Sequence, residues 1–104
     1  MATITRTVVL TLDGEFDITS RDELEHAAVA AVSAVGTGRV VVDLGRVTFI
    51  DSEAVAAIIV GYQAASGAGC DFRLANARGL VRRVLDIAGL LDLIGEPDAA
   101  PERA

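Results

Sequence analysis

Apolar residues along this chain change their period several times, and each change marks an element. From Ile4 to Leu12 they alternate, with Val8, Leu10 and Leu12 to one side and Thr7, Val9 and Thr11 to the other. That is the period of a half-buried strand, and the residues before it leave room for a short partner strand. Asp13-Gly14-Glu15 then supplies turn chemistry, and Phe16 and Ile18 flank Asp17. Ser20 and Glu23 stand at capping-box spacing ahead of Leu24, Ala27, Ala28, Ala31, Val32 and Val35, which repeat as one face of a helix. Gly36-Thr37-Gly38 ends that helix.

The stretch Val40 to Gly61 organises the rest. Val40-Val41-Val42-Asp43-Leu44 is a β-branched run with no polar face, as expected of a strand at the centre of a sheet. After Gly45-Arg46 the chain resumes with Val47-Thr48-Phe49-Ile50. Asp51 and Ser52 then precede Ala54 to Val60, an apolar run too long for most strands, which reads as a buried helix with Ser52 as its exposed N-cap. Ser66-Gly67-Ala68-Gly69 breaks the pattern, and Cys70 to Ala75 alternates as another strand. Asn76 is placed to cap a helix with the stripe Leu80, Val81, Val84, Leu85 and Ala88, which Gly89 stops. Leu90 to Ile94 suits a short edge strand, and residues 96–104 form a polar, proline-broken, flexible tail.

Strands alternating with helices predict an α/β fold in one domain, residues 1–95. The expected architecture is a mixed sheet of four to five strands with parallel crossover units and three to four helices. Loops leaving parallel strands gather at one sheet edge, so the segments Asp13 to Ile18 and Asp51 to Val55 are expected to be neighbours.

Composition narrows the function. The chain has 104 residues, enough for one core, and a formal net charge of −6, which disfavours nucleic acid and anionic membranes as partners. It has no Trp, so bases find few stacking platforms, and its single Cys excludes an internal disulfide. With no leader pattern or membrane-length apolar run, the expectation is a cytoplasmic protein. One His and one Cys without a converging acid–base set do not make an enzyme, and no cofactor is indicated. Asp13, Glu15 and Asp17 imitate the opening of a calcium loop, yet Ile18 stands where that loop needs Gly and Leu24 where it needs Glu, so no metal site is expected. His26, Cys70 and the trio Arg78, Arg82 and Arg83 read as a solvated residue, a core filler and a solvated face.

Three pieces in order, Leu12-Asp13-Gly14-Glu15-Phe16-Asp17, then Val42-Asp43-Leu44 with Val47-Thr48-Phe49-Ile50-Asp51-Ser52, then Arg83 to Leu90, resemble the STAS domain of bacterial anti-sigma factor antagonists. The resemblance implies a binding protein that engages an anti-sigma factor with serine kinase activity, frees a sigma factor, and is switched off by phosphorylation at Ser52 and reset by a phosphatase. It implies a partner surface made of Gly14, Glu15, Phe16, Asp17, Asp51, Ser52, Glu53 and Val55, on a monomer or weak dimer. Glu53 and Ala54 depart from the Ser or Thr and Gly common there. The alternative is a STAS interaction subunit of a larger signalling or transport assembly, without phospho-regulation.

Overall fold

The computed structural model describes residues 6–93. They run as β1 (Thr7–Phe16), a 3-10 turn (Ile18–Ser20), α1 (Arg21–Val35), β2 (Arg39–Ile50), α2 (Ser52–Ala68), β3 (Asp71–Ala75), α3 (Gly79–Ile87) and a 3-10 turn (Leu91–Leu93). The expected α/β alternation forms. Among the described residues the sheet has three strands in the order β1-β2-β3, both pairings parallel, and the fourth and fifth strands of the expected mixed sheet are not found among them. Leu90 to Ile94 is not an edge strand: the Leu93 N–H donates back to the Leu90 carbonyl at 3.0 Å, curling the segment into a turn. Ile94, the N-terminal partner strand expected ahead of β1 and the tail at 96–104 lie outside the described residues.

Parallel neighbours need a crossover between them, and α1 and α2 are those crossovers, packed against each other. The register aligns Val8 with Val40 and Phe72, and Leu10 with Val42 and Leu74, which puts these side chains on one face beneath the helices. Leu24, Ala28, Val32, Ala54, Ala57 and Ile58 complete the core from the helix side. The other face aligns Val9 with Val41 and Arg73, and Arg39 with Asp71. There Asp71 accepts from Arg39 at 2.8 Å and from Arg73 at 3.0 Å, so the polar positions of this face satisfy one another.

Several boundaries differ from the sequence reading, each for a local reason. β1 does not stop at Leu12, and β2 does not break at Gly45-Arg46. The pair runs on to Phe16 and Ile50 because β2 takes an extra residue between Asp43 and Arg46 and another between Val47 and Phe49, two bulges that absorb the irregular pattern. α2 likewise continues through Ser66-Gly67 to Ala68. Gly69, at φ 73°, is its left-handed cap and donates to the Ala65 and Ser66 carbonyls. Asn76 is not the cap of α3, since Arg78 holds that position, and the Asn76 amide donates to Asp43 Oδ1 at 2.9 Å. Of the expected α3 stripe, Val81 and Leu85 are buried and Val84 is half-buried, while Leu80 and Ala88 are exposed. No described helix is long and apolar enough to cross a membrane.

Candidate functional site

The strand extension decides where the site lies. Because β1 and β2 stay paired to their ends, Phe16 aligns with Ile50, and the Asp51 N–H donates to the Phe16 carbonyl at 3.2 Å. The two segments singled out in the sequence, 13–18 and 51–55, are therefore joined directly at one edge of the sheet.

Asp51 and Ser52 divide the work at the start of α2. Asp51 has extended backbone, φ −116° and ψ −173°, and its Oδ1 accepts from the Glu53 N–H at 2.9 Å and the Ala54 N–H at 3.0 Å. These are two of the four donors that a helix N-terminus leaves without partners. Asp51 is the N-cap, and Ser52 is the first helical residue instead of the cap expected of it. Carboxylate geometry explains the outcome: Asp caps as well as Ser, and it comes first in the chain at the position whose backbone is still extended. Ser52 is exposed.

The other segment is built in a related way. Asp17 accepts from the Thr19 N–H at 2.9 Å and the Thr19 hydroxyl at 2.6 Å, closing the 3-10 turn ahead of α1. These two bonds hold the Asp17 carboxyl below its ordinary range, the hydroxyl contributing most. Ser20 makes no side-chain cap bond, so its capping box with Glu23 does not form. Gly14, at φ 96°, takes the left-handed conformation that the irregular pairing needs, and its carbonyl accepts from the Thr48 hydroxyl at 3.4 Å. Glu15 is exposed, whereas Phe16 is half-buried and packs on the core. Val55, expected on the partner surface, is 6% exposed and belongs to the core.

Three contributors were not among the residues named for the partner surface. Ile18 and Phe49, 66% and 39% exposed, add apolar area in the segments that bracket Ser52. Phe49 was legible only with the second bulge, which turns it out of the alternation. Arg21 Nη1 lies 2.8 Å from Glu53 Oε1, linking the first turns of α1 and α2, and no spacing in the sequence announces a pair thirty-two residues apart. The edge is thus an exposed hydroxyl and two apolar side chains set among Glu15, Asp17, Asp51 and Glu53, with Arg21 as a paired cation. Among the described residues no group of three or more His, Cys, Asp or Glu is arranged to hold a metal ion. Such an edge is suited to docking and to modification at oxygen.

A second polar cluster lies along the same strands. Asp43 Oδ1 accepts from the Gly45 N–H and the Asn76 amide, both at 2.9 Å, while Arg78 donates to the Gly45 carbonyl at 3.2 Å. The Asn76 bond, followed by that from Gly45, lowers the Asp43 pKa. These bonds fasten the bulge of β2 to the end of β3.

Known structures share this architecture. SpoIIAA, an anti-sigma factor antagonist, aligns in its unphosphorylated form at 21% identity over 84% of this chain and 79% of its own, with a TM-score of 0.64. The phosphorylated form of this Bacillus cell fate determinant aligns at 23% identity over 95% and 92%, with a TM-score of 0.65. A sulfate transporter family protein from Wolinella succinogenes aligns at 15% identity over 90% and 77%, with a TM-score of 0.70. No functionally curated protein matches the sequence. Residues 3–95 match the family described as "Mlab, STAS domain", and with the three-strand parallel sheet and its two crossover helices in place, this chain belongs to the STAS domain family.

Proposed function

We propose that the chain is an anti-sigma factor antagonist, a binding protein that engages an anti-sigma factor with serine kinase activity and is switched off when Ser52 is phosphorylated. The observation that carries this reading is the exposed Ser52 hydroxyl, relieved of capping by Asp51, on an edge that the Asp51–Phe16 hydrogen bond joins to the Gly14–Asp17 segment. Among the neighbours in fold, SpoIIAA is described as an anti-sigma factor antagonist and has unphosphorylated and phosphorylated forms. In the modification step the Ser52 oxygen bonds to the γ-phosphorus of a nucleoside triphosphate, the bond to the leaving nucleoside diphosphate breaks, and the hydroxyl proton passes to a base of the kinase.

Charge makes the switch. Phosphate adds about −1.5 to −2 charges at a contact edge that already holds Glu15, Asp17, Asp51 and Glu53. Desolvating that dianion against a partner opposes binding unless the partner supplies a cation. The surface that the phosphate disrupts comprises Gly14, Glu15, Phe16, Asp17, Asp51, Ser52 and Glu53, extended by Ile18 and Phe49.

The test is affinity capture from the source cell with the unmodified chain, followed by incubation of the captured partner with ATP and mass spectrometry. A nucleotide-binding protein that places phosphate on Ser52 supports the reading; phosphate on another serine with Ser52 unmodified refutes it. A second reading is a STAS subunit of a transport assembly, favoured by the sulfate transporter family neighbour. Recovery of membrane transport components, with Ser52 unmodified, would establish it.

A further inference from the structure

Arg21 stands where helix electrostatics disfavour a cation. It is the first residue of α1, and a helix N-terminus carries partial positive charge, which Asp22 and Glu23 complement and an arginine opposes. Its guanidinium leaves its own helix end and crosses to the first turn of α2, Nη1 to Glu53 Oε1 at 2.8 Å, with Nη2 3.9 Å from Glu25 Oε2. The Arg21 and Glu53 side chains are 37% and 36% exposed, so solvent screens the pair and its partners exchange readily.

We infer that Arg21 is the counter-cation for a phosphate on Ser52, exchanging the Glu53 carboxylate for the phosphate when the hydroxyl is modified; this rests on the reading of Ser52 above. Ser52 and Glu53 are consecutive in the first turn of α2, with Cα atoms about 3.8 Å apart; their side chains leave the helix in different directions, so the guanidinium passes from one to the other by swinging around that turn on its flexible stem. A guanidinium engages a phosphate dianion in the same forked geometry as a carboxylate, and the higher charge makes the bond stronger. The acids on the elements that meet at this edge are Glu15 and Asp17 from the first segment, Glu25 from α1, and Asp51 and Glu53 from the start of α2. Arg21 is already paired with two of them, Glu53 and Glu25. The exchange explains how a phosphate is accommodated next to a fixed acid without unwinding α2, and it leaves Glu53 as a newly unpaired charge on the docking edge.

The experiment places phosphoserine at position 52 during translation with a phosphoseryl-tRNA system, so that no kinase is needed, and follows the phosphate by 31P NMR across its second ionisation. Nearby positive charge favours the dianion, so the phosphate pKa in the parent chain should lie below that in Arg21→Gln by about half a unit, a roughly threefold change in proton affinity. Glu53→Gln, which removes the competitor, should lower it further. At high salt the differences should shrink. Superimposable titrations of the parent and Arg21→Gln at low salt would overturn the inference. If Arg21 only fastened α1 to α2, Arg21→Gln would change the melting temperature of the unmodified chain and leave the phosphorus titration where it was. A kinase that ignored Ser52 would refute the functional reading and leave this titration unaffected.

Discussion

Replacing Asp51 and Ser52 one at a time separates structural duty from exposure. Asp51→Ala removes the acceptor of two backbone N–H bonds, at 2.9 and 3.0 Å, and leaves the Glu53 and Ala54 amides with no side-chain partner. Loss of an N-cap costs about 1–2 kcal/mol, and in a domain of this size each kcal/mol lowers the melting temperature by about 4–8 °C. Asp51→Ala should therefore melt about 4–15 °C lower than the parent, with faster hydrogen exchange at the Glu53 and Ala54 amides. Ser52→Ala removes a hydroxyl that has no hydrogen-bond partner among the described residues and inserts the best helix former at the first helical position, so its stability should change by less than about 0.5 kcal/mol. Asp51→Asn keeps the acceptor and should recover most of the loss, short by the charge–dipole contribution of about 0.3–1 kcal/mol. Urea denaturation with a common slope reads all three. A Ser52→Ala loss of 1 kcal/mol or more, or an Asp51→Ala variant as stable as the parent, would refute the assignment of the cap to Asp51.

Gly61→Ala should destabilise by about 1–3 kcal/mol even though alanine favours a helix by about 1 kcal/mol, because the added Cβ would stand 2.7 Å from the Ala28 Cβ and 3.2 Å from the Phe72 ring; a stabilised variant would show that α1 and α2 are not this close. Leu85→Ala, at a fully buried position of α3, should cost about 2–5 kcal/mol in denaturant titration, and a neutral result would remove α3 from the core. The Asp43 carboxyl, held below its ordinary 3.8 by the Asn76 amide and then by the Gly45 N–H, ionises more readily folded than unfolded. Its contribution is therefore full above the unfolded pKa and fades as pH falls through the lower folded value. Asn76→Gly preserves the left-handed backbone (φ 64°) without the amide, so its stability deficit should be largest near neutral pH and shrink in acid; a deficit independent of pH would argue that Asn76 acts only through its backbone.

Periodicity revealed the elements and concealed their ends. α1 was legible because apolar positions at helical spacing require a partner face, α2 because its apolar run is too long for most strands, and the strands 40–44 and 70–75 because β-branched or alternating residues lay between turn formers. The bulges were not. Gly14, Gly45 and Arg46 carry the composition of turns, and only the pairing register shows them inside long strands with β2 supplying the extra residues. Ser66-Gly67 misled for the opposite reason, since tertiary packing carries α2 past weak helix formers to the left-handed Gly69. At the site, the joining of the two acidic segments followed from parallel topology. The choice of Asp51 over Ser52 as cap, the burial of Val55 and the reach of Arg21 depend on backbone angles and on contacts distant in sequence, which no local pattern encodes.

The order Asp-Ser is what frees the hydroxyl. At a strand-to-helix junction the last extended residue becomes the cap and the next enters the helix, so the first of two competent capping residues takes the structural role. With Asp51 first, the Glu53 and Ala54 amides are satisfied by a carboxylate, and the Ser52 oxygen remains exposed and unpartnered among the described residues. With the order reversed, the serine would be the cap, and modifying its oxygen would remove an acceptor that α2 needs, coupling any change at that residue to loss of the helix start. The present order separates the two. A charge added at Ser52 would leave Asp51 holding the end of α2, so the surface of this edge could change while the sheet and its crossover helices stay as they are.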